Sequence, residues 1–116
     1  MTDTELKDSV KHIMYRHVGR GFPIDRADLL DALDLPHTSS ADRRLREIIR
    51  QLKRDLFPIQ FATEKPAGYY LPANERELIE GIEKLKGYVK DECITIRALR
   101  TGGSRFLAGD KQLELI

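Results

Sequence analysis

The segment from Ser39 to Leu56 constrains this chain most. Leu45, Ile48, Ile49 and Leu52 recur so that, at about 100° per residue, they form one narrow stripe on a helix. The same geometry turns Arg43, Glu47, Arg50 and Arg54 away from the stripe and leaves Arg46 at its flank. Between Ser39 and Arg54 six basic residues (Arg43, Arg44, Arg46, Arg50, Lys53, Arg54) stand against two acidic ones (Asp42, Glu47), a local balance of +4 in a chain whose net charge is only +1. Such a helix must bury one face against other elements and present a cationic face outward. Ser39 with Asp42 three residues later has the form of its capped start.

The flanking elements supply what that stripe can pack against. Leu6, Val10, Ile13, Met14 and Val18 recur at spacings of three and four, which predicts a first helix over Thr4 to Val18, capped by Thr4 and stopped at Gly19 and Gly21. Phe22-Pro23-Ile24 is extended, because proline disfavours helix at the residue before it. Asp25 and Asp28 then open a short second helix that turns Leu29, Leu30 and Leu33 inward and ends near Leu35, before Pro36. Phe57-Pro58-Ile59-Gln60-Phe61 and Gly68-Tyr69-Tyr70-Leu71 are β-prone runs joined by the polar link 62–67, and they read as a two-stranded hairpin. Asn74 caps a long last helix reaching about Thr101, and Gly102-Gly103-Ser104 opens a flexible tail. With 116 residues there is room for one core. The expected class is α+β, mostly α, laid out as a domain over 1–73, a long helix over 74–101 and a tail over 102–116.

Three helices followed by a hairpin, with arginines opposite the core stripe of the third, is the order of a winged helix-turn-helix. REIIRQLKRDLFPIQ leading into KPAGYYLP resembles the recognition helix and wing of biotin-repressor-type winged helix domains, which commonly finish the wing in a Gly-Tyr-x-Leu run matched here by Gly68-Tyr69-Tyr70-Leu71. The resemblance covers about Thr4 to Pro72. Leu56 departs from it, standing where many relatives have glycine, and the connection after Leu35 is longer than the usual tight turn. These residues hold no biotin-ligase catalytic domain, so the resemblance implies no biotin chemistry, and small winged helix proteins of this build are familiar in phages and mobile elements.

The resemblance implies binding to double-stranded DNA, in the manner of a transcriptional regulator. Arginines on a helix in the major groove pair bidentately with guanine edges, and flanking cations neutralise phosphates. Ser39, Ser40, Arg43, Arg46, Glu47 and Arg50 are the candidates nearest the groove, with Arg54 farther along the same face. Ser39 and Ser40 lie at a helix N-terminus that attracts phosphate, and Lys65, with Thr63, would reach an adjacent phosphate from the wing tip.

The remaining chemistry-bearing residues point nowhere sharper. A single cysteine, Cys93, excludes an internal disulfide framework, and nothing argues for an oxidising compartment. MTDTELKDSVKH lacks the marks of a signal peptide, no apolar run approaches a membrane span, and a cytoplasmic location is expected, with no membrane partner. His12, His17 and His37 share no metal-ligand spacing, so no metal or other cofactor is expected. Asp25, Asp28, Asp31 and Asp34 recur every three residues, a spacing that drifts around a helix rather than building an acid–base pair. No nucleophile elbow, phosphate-binding Gly-rich loop or paired Cys motif appears, and a non-enzymatic protein is expected.

Two features suggest protein partners. In the last helix Leu78, Ile82, Leu85, Val89, Ile96 and Leu99 alternate at four and three, with Glu92 interrupting the seam. Either a homodimer or packing back over the first helix satisfies such a seam, and the site-doubling logic of helix-turn-helix proteins favours the dimer. At the C-terminus Gln112-Leu113-Glu114-Leu115-Ile116 resembles the Gln-Leu-x-Leu-Phe peptide by which bacterial replication and repair proteins engage the sliding clamp, with Ile116 in place of the aromatic. That peptide carries the alternative reading, a replication or recombination accessory or interaction module.

Overall fold

In the computed structural model, which describes residues 1–110, the chain is α+β and mostly helical. Its elements are α1 (Asp3–Met14), α2 (Arg26–Ala32), α3 (Ser39–Arg54), β1 (Gln60–Ala62), β2 (Gly68–Tyr70), α4 (Glu75–Arg105) and a π-type turn over Phe106–Asp110. Residues 112–116, which hold the clamp-like peptide, lie outside the described residues.

Each short helix starts where a side chain can take an orphan backbone N–H. Thr2 rather than Thr4 caps α1, its extended backbone letting Oγ1 accept from Glu5 N at 3.2 Å. Asp25 caps α2 as the sequence suggests, accepting from Asp28 N at 2.8 Å. For α3 the cap is Thr38, which is extended and accepts from Ala41 N at 3.2 Å, so Ser39 is already the first helical residue.

Helices α2 and α3 end in the same way. In α3 the amide of Phe57 donates to Leu52 O at 2.9 Å and that of Leu56 to Lys53 O at 3.0 Å. This Schellman pattern needs a left-handed residue between helix and exit, and Leu56 supplies it at φ 68° with its side chain 89% exposed. In α2 Leu35 N donates to Leu30 O at 2.9 Å and Asp34 N to Asp31 O at 3.1 Å, with Asp34 at φ 55°. The longer connection after Leu35 is therefore a closed helix end followed by a polar link into Thr38. Helix α1 stops at Met14, four residues short of Val18, and the chain beyond it joins the hairpin instead.

The core lies between these elements. Leu6, Val10 and Met14 of α1, Leu29 and Leu30 of α2, and Leu45, Ile48, Ile49 and Leu52 of α3 form one buried cluster with Phe57, Ile59, Tyr69 and Leu71. Strands β1 and β2 pair antiparallel with Phe61 opposite Tyr69. Two further bridges stitch β2 to the segment between α1 and α2: Ile24 and Tyr69 exchange backbone hydrogen bonds at 2.9 and 2.8 Å, and Leu71 accepts from Gly19 N at 2.7 Å while donating to His17 O at 2.9 Å. Gly68 makes this possible. At φ 140°, a Cβ there would lie 2.4 Å from Ile24 O, so only glycine lets the two backbones approach.

The chain divides into two compact units, Met1–Ile79 and the part from Glu80 onward. The first contains the core. The second is the body of α4, which runs unbroken through Gly102 and Gly103, where the sequence suggests a flexible tail, to Arg105. No residue of α4 is buried. Among the described residues, no helix is long and apolar enough to cross a membrane.

Candidate nucleic-acid interface

Helix α3 turns its arginines outward, as its periodicity requires. Ala41, Leu45, Ile48, Ile49 and Leu52 are buried, and Arg43, Arg46, Arg50 and Arg54 are exposed. The four arginines are not equivalent. Arg46 Nη2 stands 3.4 Å from Asp42 Oδ2, one turn back, and Arg50 Nη1 donates to Glu47 Oε2 at 2.6 Å. Glu47 also accepts from Gln51 Nε2 at 3.5 Å, which makes it the anchor of Arg50 as well as a candidate contact. Among the described residues Arg43 and Arg54 have no ion pair, so their guanidinium groups are the freest on this face. Arg44 is taken by the start of α1: it donates to Met1 O at 2.5 Å and pairs with Asp3 at 3.2 Å, fastening α3 to that helix. Lys53, beside Arg50, is held below the usual lysine pKa by partial burial and, secondarily, by the Arg50 charge.

Two recesses gather the other candidates. One, of about 380 Å³, is lined by Ser40, Arg43 and Glu47 together with Asp3, Arg44 and Ile48. The second, of about 620 Å³, lies between the starts of α2 and α3 and the hairpin and brings Ser39 beside Thr38, His37, Arg26, Phe61 and Tyr69. Thr63 and Lys65 are exposed in the hairpin turn and line neither recess.

The second recess contains residues that periodicity did not single out. Arg26, the first helical residue of α2, reaches across to α3, its Nε 3.0 Å from Asp42 Oδ1, and so links the two helices. Asp42 therefore faces two guanidinium groups. His37 Nε2 lies 2.6 Å from Asp31 Oδ1. Phe61 is 51% exposed although it is an aromatic on a strand, and its ring centroid is 4.9 Å from that of Tyr69. Burial raises the pKa of Tyr69, with the charges of Arg26, Asp42 and Arg46 acting in both directions. The alternation along β1 was a usable signal for Phe61; Arg26 carried only the weak cue of standing just inside a capped helix start.

Arg20 had no sequence signal, because its partners are 44 and 46 residues away. Its Nη1 donates to Pro66 O at 2.5 Å and its Nη2 to Glu64 O at 2.7 Å, while the guanidinium carbon lies 5.8 Å from the centre of the Tyr70 ring. Its own backbone N–H donates to Glu77 Oε1, which also accepts from Ala73 N at 3.1 Å. One side chain thus holds the hairpin turn that carries Thr63 and Lys65.

The arrangement offers exposed cations, hydroxyls and a helix N-terminus, groups that suit a polyanion. Among the described residues no three His, Cys, Asp or Glu side chains converge on a metal site. Compared with family models, with curated proteins and with solved structures, the chain matches none.

Proposed function

We propose that the unit Met1–Ile79 is a winged helix-turn-helix that binds double-stranded DNA, with α3 as the recognition helix and the β1–β2 turn as the wing, in the service of transcriptional regulation. The observation that carries the reading is the outer face of α3, where, among the described residues, Arg43 and Arg54 have no ion pair and Arg46 and Arg50 are held by acids of their own helix. An unpaired guanidinium loses no protein partner when it meets a guanine edge or a phosphate. A paired one must share its carboxylate or leave it, which favours a fixed direction over raw affinity. In this reading Arg43, Arg46, Glu47 and Arg50 face base edges. Ser39 and Ser40 at the start of α3, Arg54 at its end and Arg26 at the start of α2 take phosphates. Arg20 positions the turn so that Lys65 and Thr63 meet the next phosphate.

The test is the affinity for a labelled random-sequence duplex across a salt series. Each neutralised phosphate contributes about −0.9 to the slope of log K against log salt, so the expected slope is roughly −4 or steeper. Changing Arg43 and Arg54 together to Glu should abolish binding with the fold intact, since neither residue holds an ion pair among the described residues. No binding at low salt, or a slope that survives the double change, overturns the reading.

A further inference from the structure

The seam of α4 has no partner within its own helix, and its composition states what kind of partner it fits. We infer that α4 pairs with α4 of a second copy as a parallel, in-register, two-stranded coiled coil over Leu78–Leu99.

The alternation of four and three assigns Ile82, Val89 and Ile96 to one set of core positions and Leu78, Leu85, Glu92 and Leu99 to the other. The first set, the a positions, is entirely β-branched. The second, the d positions, is leucine except at Glu92. β-Branched residues at a with leucine at d is the distribution that selects two parallel strands, because the two positions present differently oriented side chains to the facing helix. An antiparallel pair would set a against d in every layer and lose that distinction. The seam is open to receive a partner: Leu85 is 60% and Leu99 70% exposed.

Helix stability argues the same way. Four glycines (Gly81, Gly87, Gly102, Gly103) weaken a 31-residue helix in which no residue is buried. A partner helix supplies the missing burial.

Charge is compatible with this orientation. Lys86 and Arg100 flank the seam at e positions, and the g positions are Gly81, Tyr88 and Thr95. A parallel pair sets Lys86 across from Gly81 and Arg100 across from Thr95 of the second copy, with no like charges meeting. Sliding a parallel pair by one heptad forfeits two of the seven layers from Leu78 to Leu99 and places Glu92 against leucine twice. In register, Glu92 meets only its counterpart, the single weak layer.

The inference is independent of DNA binding and is tested on the full chain without nucleic acid. Sedimentation equilibrium over a concentration series should show a monomer–dimer equilibrium, tightened at least about tenfold by Glu92→Leu and abolished by Leu85→Glu, with the thermal transition of the N-terminal unit retained. In a Cys93→Ala background, Leu99→Cys should form a disulfide between copies on mild oxidation, since parallel pairing brings like d positions together. Monomers at every concentration in both the wild type and Glu92→Leu, a trimer, or crosslinking only when Ile82→Cys and Leu99→Cys chains are mixed would each overturn it.

Discussion

Helices α3 and α4 carry the same kind of apolar period and meet opposite fates. In α3 the stripe Leu45, Ile48, Ile49 and Leu52 is fully covered, and the charged face opposite is left to the solvent. In α4 the stripe from Ile82 to Leu99 is itself exposed. The difference lies in what the rest of the chain provides. Residues of α1, α2 and the hairpin share one buried cluster with the α3 stripe, whereas no α4 residue enters it. Period therefore identifies the face that seeks burial and leaves open what will bury it.

Truncating one residue on each stripe tests that contrast most severely. Leu52→Ala should cost the N-terminal unit about 2–5 kcal/mol, the range for a buried leucine replaced in a closed core. Leu85→Ala should leave the unfolding midpoint of that unit unchanged and weaken only self-association. Denaturant unfolding followed by hydrogen exchange at the amides of each unit separates the two effects; an equal loss from both changes would break the comparison.

Gly68→Ala sharpens it further. The added methyl meets the Ile24 carbonyl and the backbone is already at positive φ, so a loss of about 3 kcal/mol is expected, confined to the N-terminal unit. Amides of Ile24 and Tyr69 should lose protection first, because their mutual hydrogen bonds are the ones forced apart.

The smallest effect has the opposite sign. Leu56 takes the left-handed position that ends α3 and gains nothing from burial, so Leu56→Gly should stabilise the N-terminal unit by about 0.5–1 kcal/mol, the relief of side-chain strain less the extra entropy of glycine in the unfolded chain. Chemical denaturation midpoints measure it directly. An unchanged or lowered midpoint would mean that the helix end tolerates leucine without strain.

Much of this architecture was legible because its signals are local. The periods of Leu6 to Met14 and of Leu45 to Leu52, the cap at Asp25, the cap at Asn74 and the β-prone runs all depend on neighbours within a turn or a strand, and each element appears where those signals put it. Helix boundaries moved by a few residues where two capping groups compete, as with Thr2 and Thr4, or Thr38 and Ser39, because the winner is the residue whose backbone is extended. At the candidate interface the outward face of α3 was readable, but its internal ion pairs were not, since rotamers rather than spacing decide which arginine is taken by Asp42 or Glu47.

The sequence by itself determined the helices, their polar and apolar faces and the concentration of positive charge on α3, because i to i+4 geometry fixes those from residue order alone. Only the tertiary structure decided that Arg20 grips the hairpin turn, that Arg26 reaches Asp42, and that Gly68 must be glycine. Each of those facts joins segments distant along the chain, and such contacts exist only once the core has closed and brought their backbones within hydrogen-bonding reach.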